Sequence, residues 1–237
     1  MRAAVIVAGG TGERFGGERG KQLATVAGRP LLAWTVEAFE ECASVDFIVL
    51  VCHPDRVEEY RAAAIGGRKD TKVGAVVPGG STRRRSVAAG LAVLPGGCDV
   101  VAVHDGARAF IDAPTIAAAF TALDDSGAGG VVVGHPAVDT VKEVDGSHRV
   151  VVTPDRSRSW IAQTPQAFRV DVLVRAHARA AADGFEGTDD ASLVERDGGT
   201  VLMLEGPRWN LKVTMAEDLD VMEALLAHRA RIGAIDA

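Results

Sequence analysis

Val5-Ile6-Val7-Ala8-Gly9-Gly10-Thr11-Gly12-Glu13-Arg14-Phe15-Gly16-Gly17-Glu18-Arg19-Gly20-Lys21-Gln22-Leu23 runs an apolar strand straight into a glycine-rich, basic loop. Glycines at 9, 10 and 12 let backbone N–H groups approach an anion without interference from a Cβ, and Arg14 and Lys21 add charge that backbone dipoles alone do not supply. The stretch reads as a cradle for a nucleoside triphosphate. A P-loop is excluded, because Gly20-Lys21 is followed by Gln22 and no Ser or Thr is placed to hold a metal. A dinucleotide fingerprint fits poorly, since Gly10-x-Gly12-x-x-Phe15 lacks the third glycine. The plainer alternative is a glycine-rich turn with solvated charges.

Working outward, short apolar runs recur at Ala3 to Ala8, Phe47 to Cys52, Val73 to Val77, Val100 to His104 and Gly130 to Gly134. Helical patterns lie between them at Leu31 to Cys42, Asp55 to Ile65, Ser86 to Leu94 and Pro114 to Asp125, the last capped by Asp112. This alternation predicts an α/β fold with a mostly parallel, doubly wound sheet that binds its ligand at the carboxyl ends of the strands. The pattern breaks over 138–160. There Asp139 to Val144 and Arg149 to Thr153 flank Asp145-Gly146-Ser147-His148 as a β-hairpin, either an edge hairpin of its own subunit or a protruding arm that clasps a second copy. No repeat or linker divides the chain, so residues 1–237 read as a single domain.

Aromatic residues are only 5% of a chain that is 47% hydrophobic, which points to a Val, Ala and Leu core. The net charge of −6 argues against a general nucleic-acid binder, and no apolar run is long enough to span a bilayer. Cys42, Cys52 and Cys98 are odd in number and form no C-x-x-C pair, which suits a reducing cytoplasm.

Four further segments carry chemistry. In Val103-His104-Asp105-Gly106-Ala107-Arg108, Asp105 stands at a strand's carboxyl end, where it either ligands magnesium on a triphosphate or caps the following turn. Gly79-Gly80-Ser81-Thr82-Arg83-Arg84-Arg85-Ser86 precedes a helix whose N-terminus favours anions; its backbone and Ser86 could read a base edge while Arg83 orders the loop, and Arg84 and Arg85 read as a solvated face. Gly187-Thr188-Asp189-Asp190-Ala191-Ser192 reads first as a helix N-cap. Asn210-Leu211-Lys212-Val213-Thr214 brings Lys212 to a strand end before a helix over Met215 to Arg229. Thr153 to Arg156 and Gln163 to Phe168 read as polar stops, with Arg156 a possible acid-binding group. There is no G-x-S-x-G elbow and no His-Glu-x-x-His, so hydrolase arrangements are not indicated. A phosphate monoester is already anionic and needs no general base, and the residue inventory suits nucleotidyl transfer.

In order and spacing these segments, together with Asp139-Thr140-Val141-Lys142, Asp155-Arg156 and Thr164-Pro165-Gln166, resemble the 2-C-methyl-D-erythritol 4-phosphate cytidylyltransferase family of the non-mevalonate isoprenoid route. The resemblance covers nearly the whole chain. It implies a Rossmann-like fold, a homodimer formed through the 138–160 arm, and CTP and 2-C-methyl-D-erythritol 4-phosphate as substrates. By the same carry-over, Arg14, Lys21 and Lys212 hold the triphosphate; Ala8, Gly9, Gly10, Thr11, Gly12, Gly79, Gly80, Arg83, Ser86, Asp105 and Gly106 bind the nucleotide. Asp105 supports magnesium. Thr140 and Arg156 bind the acceptor phosphate across the dimer interface, Arg156 counting among the catalytic residues, with Arg108, Thr164 and Thr188 as further acceptor contacts.

The implied reaction is one in-line displacement, the acceptor phosphate attacking the α-phosphorus of CTP. Gly20, Ala109 and Ser81 depart from the family pattern, which often has prolines at the first two and sometimes an acidic residue at the third. Two rivals share the nucleotide half of such a site: a cytidylyltransferase for another polyol phosphate such as ribitol 5-phosphate, and a non-catalytic nucleotide sensor on the same fold.

Overall fold

Short, mainly apolar strands and helices with one apolar face pack a core on each side of a central sheet. The computed structural model describes residues 1–10, 15 and 20–233. In chain order its elements are β1 (Arg2–Val7), β2 (Thr25–Val26), β3 (Arg29–Pro30), α1 (Leu31–Glu41), β4 (Phe47–Cys52), α2 (Val57–Ile65), β5 (Val73–Pro78), α3 (Arg83–Leu91) and β6 (Val100–Asp105). There follow α4 (Ala113–Ser126), β7 (Gly130–Pro136), β8 (Glu143–Val144), β9 (Val150–Val152), β10 (Trp160–Arg169), α5 (Val170–Ala182), α6 (Asp190–Arg196), β11 (Val201–Glu205) and α7 (Asp218–Gly233).

Seven strands form the main sheet in the order β11-β7-β10-β6-β1-β4-β5. Every neighbouring pair is parallel except those of β10, which is antiparallel to both β6 and β7. Period-two alternation sorts the strand side chains to the two faces. Ile6, Leu50 and Ala102 pack with Leu32, Val36 and Phe39 of α1, Tyr60 of α2 and Phe120 of α4. Val5, Val49 and Val103 pack with Val87 of α3, Leu173 of α5 and Val194 of α6 on the other face. Each large side chain sequestered in this way contributes about 1.5–3 kcal/mol. The α/β, mostly parallel, doubly wound expectation is met, and β4 falls on the expected residues. No helix among the described residues is long and apolar enough to cross a membrane.

Several boundaries differ from the expectation. Thr82 caps α3 by accepting the Arg85 N–H, so that helix starts at Arg83 rather than Ser86 and carries the three arginines in its first turn. Pro54–Arg56 forms a 3-10 turn ahead of α2. The hairpin is present but pairs only through β8 and β9; its turn is held by the Asp145 carboxylate, which accepts the Ser147 and Arg149 N–H groups. Gln163 to Phe168 are not polar stops but the middle of β10, with Pro165 falling in a register irregularity between Ala162 and Gln166, where a missing N–H is tolerated. Lys212 is not at a strand end: β11 stops at Glu205 and 206–217 has no strand. The last helix begins at Asp218, whose carboxylate accepts the Thr214 and Met215 N–H groups.

Candidate active site

The parallel strands β1, β4, β5 and β6 end on one edge of the sheet, and their carboxyl ends enclose a cleft of about 580 Å³. Its wall takes Gly9 and Gly10 from β1, His53 and Pro54 from β4, Gly79 to Arg83 and Ser86 from the β5–α3 turn, Asp105 and Ala107 from β6, and Lys21, Gln22 and Lys212 from flanking loops. Two glycines are there for lack of room. A Cβ on Gly9 would stand 2.9 Å from the Cys52 carbonyl oxygen, and one on Gly80 would stand 2.5 Å from Cβ of Arg85. Among the described residues, none comes within 4 Å of such an atom on Gly10.

Asp105 is the electrostatic centre. Lys212 Nζ lies 2.7 Å from its Oδ2, Arg108 Nε 3.7 Å from the same oxygen, and Arg83 Nε 3.5 Å from Oδ1. Burial alone would push this carboxyl up, but Lys212, Arg83 and Arg108 outweigh it and hold Asp105 well below the usual carboxylate range. Three cations on one carboxylate leave the cluster net positive, and Lys21 adds to it. Such a field in a partly desolvated cleft favours a polyanion.

A hydrogen-bonded chain fixes Asp105 from behind. Its backbone N–H donates to Thr164 Oγ1 at 3.0 Å, and the Thr164 hydroxyl lies 3.1 Å from His104 Nδ1. His104 Nε2 is 3.2 Å from the Arg108 carbonyl oxygen, which only accepts, so Nε2 carries the ring proton and Nδ1 accepts from Thr164. Burial lowers the His104 pKa to about 4, consistent with a neutral ring. Arg108 Nη1 donates to the Asn210 carbonyl oxygen, and Asn210 Nδ2 donates to the Thr164 carbonyl oxygen. The loop carrying Lys212 is thereby tied to β10.

Of the residues singled out from sequence, the cleft brings together Gly9, Gly10, Lys21, Gly79, Gly80, Arg83, Ser86, Asp105 and Lys212. Ala8 is buried beneath the wall, and Gly106 donates its N–H to the Val7 carbonyl oxygen. The Ser86 hydroxyl is taken up by its own turn, accepting the Gly80 N–H and donating to the Thr82 carbonyl. Thr164 does not face the cleft: it is 3% exposed, and its hydroxyl accepts the Asp105 N–H and donates to His104, so it acts from behind the wall. Arg108 also stands behind Asp105. Thr188 is exposed beside α6 and does not line the cleft.

Thr140 and Arg156 are exposed on the arm, also off the cleft wall, with Arg156 Nη1 donating to the Val138 carbonyl oxygen. Thr11, Gly12 and Arg14 lie outside the described residues. Gly20 has φ +74°, a conformation closed to proline.

Sequence reasoning missed His53, Gln22 and Thr82 on the wall, and Asp190 behind it. His53 had a readable signal, standing at the carboxyl end of a buried parallel strand. Asp190 shares the apolar face of α6 with Leu193 and Val194, and a carboxylate on such a face must be paired.

A family profile described as IspD, 2-C-methyl-D-erythritol 4-phosphate cytidylyltransferase, matches residues 2–228. The enzyme of that name from Prochlorococcus marinus (strain MIT 9313) is 44% identical over 229 residues, covering 95% of this chain and 98% of its own. The crystal structure of 4-diphosphocytidyl-2C-methyl-D-erythritol synthase from Anaerococcus prevotii superposes with a TM-score of 0.84 at 28% identity, covering 96% of this chain and 98% of that one. The 2-C-methyl-D-erythritol 4-phosphate cytidylyltransferase of Thermus thermophilus superposes with a TM-score of 0.74 at 32% identity, over 95% and 98% of the two chains. Sequence and fold agree along nearly the full length, and the chain belongs to the IspD family of 2-C-methyl-D-erythritol 4-phosphate cytidylyltransferases.

Proposed function

We propose that the chain joins 2-C-methyl-D-erythritol 4-phosphate to CTP, giving 4-diphosphocytidyl-2-C-methyl-D-erythritol and pyrophosphate, in isoprenoid precursor biosynthesis. The observation that carries this reading is the cationic cluster around Asp105 at the carboxyl edge of the sheet, bordered by the close-packed turns at Gly9 and Gly80. In the reaction, an oxygen of the acceptor phosphate forms a bond to the α-phosphorus of CTP while the bond to the bridging oxygen breaks, and pyrophosphate leaves with that electron pair. No general base is required, so the protein's task is alignment and charge stabilisation. Lys21 and Lys212, with Arg14, neutralise charge growing on the α-phosphate and the leaving group. Gly80, Arg83 and Ser86 shape the nucleoside end of the cleft.

Magnesium is the proposed cofactor. Among the described residues no three His, Cys, Asp or Glu side chains group to hold a metal by themselves. Asp105 could still give one oxygen to an ion that completes its shell with substrate phosphates and water, because Lys212 and Arg108 gather on Oδ2 while Oδ1 faces Arg83 Nε at 3.5 Å. When bound, the ion would supply charge neutralisation to the triphosphate.

The working form is proposed as a homodimer of single-domain subunits in the cytoplasm, with Thr140 and Arg156 serving the second copy's cleft. Supporting this, Val144, Val150, Val151 and Val152 of the arm are 53%, 58%, 69% and 43% exposed, and a run of apolar side chains in water favours a partner surface. The test is pyrophosphate release from CTP and magnesium with 2-C-methyl-D-erythritol 4-phosphate, with ribitol 5-phosphate and with neither. Fast release with the first acceptor alone is expected; preference for ribitol 5-phosphate would move the chain to another polyol, and silence with both would leave a nucleotide sensor.

A further inference from the structure

Behind the cleft wall, on the side of Arg83 away from Asp105, lies a fully buried carboxylate. Asp190 opens α6 and is 0% exposed, yet its helix neighbours Ala191, Leu193 and Val194 are ordinary core residues that give no reason for a charge there. Its two oxygens are divided between two donors from different helices. Oδ2 accepts from Arg83 Nη1 at 2.6 Å, and Oδ1 accepts from His177 Nε2 of α5 at 2.9 Å. His177 is itself buried, and among the described residues its Nδ1 has no partner, so the hydrogen bonding of that ring goes to Asp190.

Arg83 joins this buried pair to the cleft, since its Nε faces Asp105 at 3.5 Å while its Nη1 is held by Asp190. A planar guanidinium presents those two edges in a fixed relation, which the rotatable point charge of a lysine would not reproduce. Burial works against the Arg83 charge, and Asp190 and Asp105 together more than restore it.

We propose that Asp190, braced by His177, is a positioning residue of this enzyme: it fixes the Arg83 guanidinium in the cleft wall and thereby sets the affinity of the cleft for the nucleotide. Asp190 touches neither substrate; it acts through Arg83. The proposal rests on the assignment of the cleft to CTP.

The test compares the full-length parent with Asp190→Asn, Arg83→Gln and the double variant, each checked for a cooperative thermal melt. CTP affinity is measured by direct titration and, separately, as KM in pyrophosphate release. Asp190→Asn keeps the shape and an acceptor for His177 while removing the charge that holds Arg83. It is expected to weaken CTP binding about 10- to 100-fold, the range for losing a charge-assisted hydrogen bond, with kcat changed much less. The double variant is expected to match Arg83→Gln within about twofold, because Asp190 has nothing to act on once Arg83 is gone.

Losses that multiply in the double variant, or unchanged CTP affinity in a folded Asp190→Asn, overturn the proposal. If Asp190→Asn does not fold, His177→Leu takes its place, with a several-fold loss of CTP affinity expected and unchanged affinity overturning the proposal. A parent that binds CTP but releases no pyrophosphate with either acceptor would refute the assigned reaction and leave the Arg83–Asp190 coupling still readable from the titrations.

Discussion

The cleft and the arm invert each other. In the cleft, charges sit where apolar groups would ordinarily be, with Asp105, Arg108 and Arg83 largely enclosed and mutually paired. In the arm, apolar side chains sit where charges would ordinarily be, Val150 and Val151 standing in water on a two-stranded ribbon with no core beneath it. A buried ion cluster is costly unless each member is matched, and an exposed apolar ribbon is marginal by itself. Among the described residues, the charges of the cleft are therefore matched within one chain, whereas the apolar side chains of the arm are not covered by it.

That contrast is breakable by experiment. The largest effect is expected at the cleft: Lys21→Ala should lower kcat by about 100- to 1,000-fold, as for removal of a transition-state donor, measured by pyrophosphate release. An unchanged kcat would strike Lys21 from the mechanism.

Next comes the paired interior behind the cleft. Unfolded His104 takes up a proton near pH 6.5 and the folded protein only near pH 4, so between those values the unfolded state binds more protons and stability falls as pH falls. Its contribution is full above pH 6.5 and amounts to about 3 kcal/mol at most across the window. Urea melts from pH 7.5 to 4 should show the slope, and His104→Gln should flatten it; equal slopes in both proteins would mean that other groups carry the acid sensitivity.

The arm should respond differently. Arg156→Ala is expected to raise KM for the acceptor about tenfold while leaving KM for CTP within about twofold, the loss of one charge-assisted contact. Equal changes in both would place Arg156 with the nucleotide. The smallest effect on the folded chain is expected for Val151→Asp, which should change subunit stability by no more than about 0.5 kcal/mol because the side chain already faces water. Sedimentation should nevertheless shift that variant toward monomer, and an unshifted profile would dissociate the arm from assembly.

Local signals made half of this molecule readable. Phe47-Ile48-Val49-Leu50-Val51-Cys52 is an unbroken apolar run stopped by His53-Pro54, and β4 occupies those six residues. The first-turn signals of Asp112 and Asp189 were also legible, because an N-cap bonds within its own turn. β10 was not, because Gln163, Thr164 and Gln166 are polar residues buried by long-range partners: Gln166 Nε2 donates to Asp189, and the Thr164 carbonyl accepts from Asn210. Nothing within ten residues of those positions announces the pairing. The cleft divides the same way, its glycines and Lys212 showing as motifs, while Asp190 and His177 became visible only once α5 and α6 lay against α3.

β10 is at once the root of the arm and the brace of the cleft. It leaves the arm at Trp160, beside Pro136 of β7, and four residues later Thr164 grips the backbone of Asp105. At about 3.3 Å per residue, roughly 13 Å of extended chain is all that separates the arm from the carboxylate at the centre of the site. The arm and the carboxylate thus share one strand, with the register irregularity between Ala162 and Gln166 falling at the point where Thr164 holds Asp105.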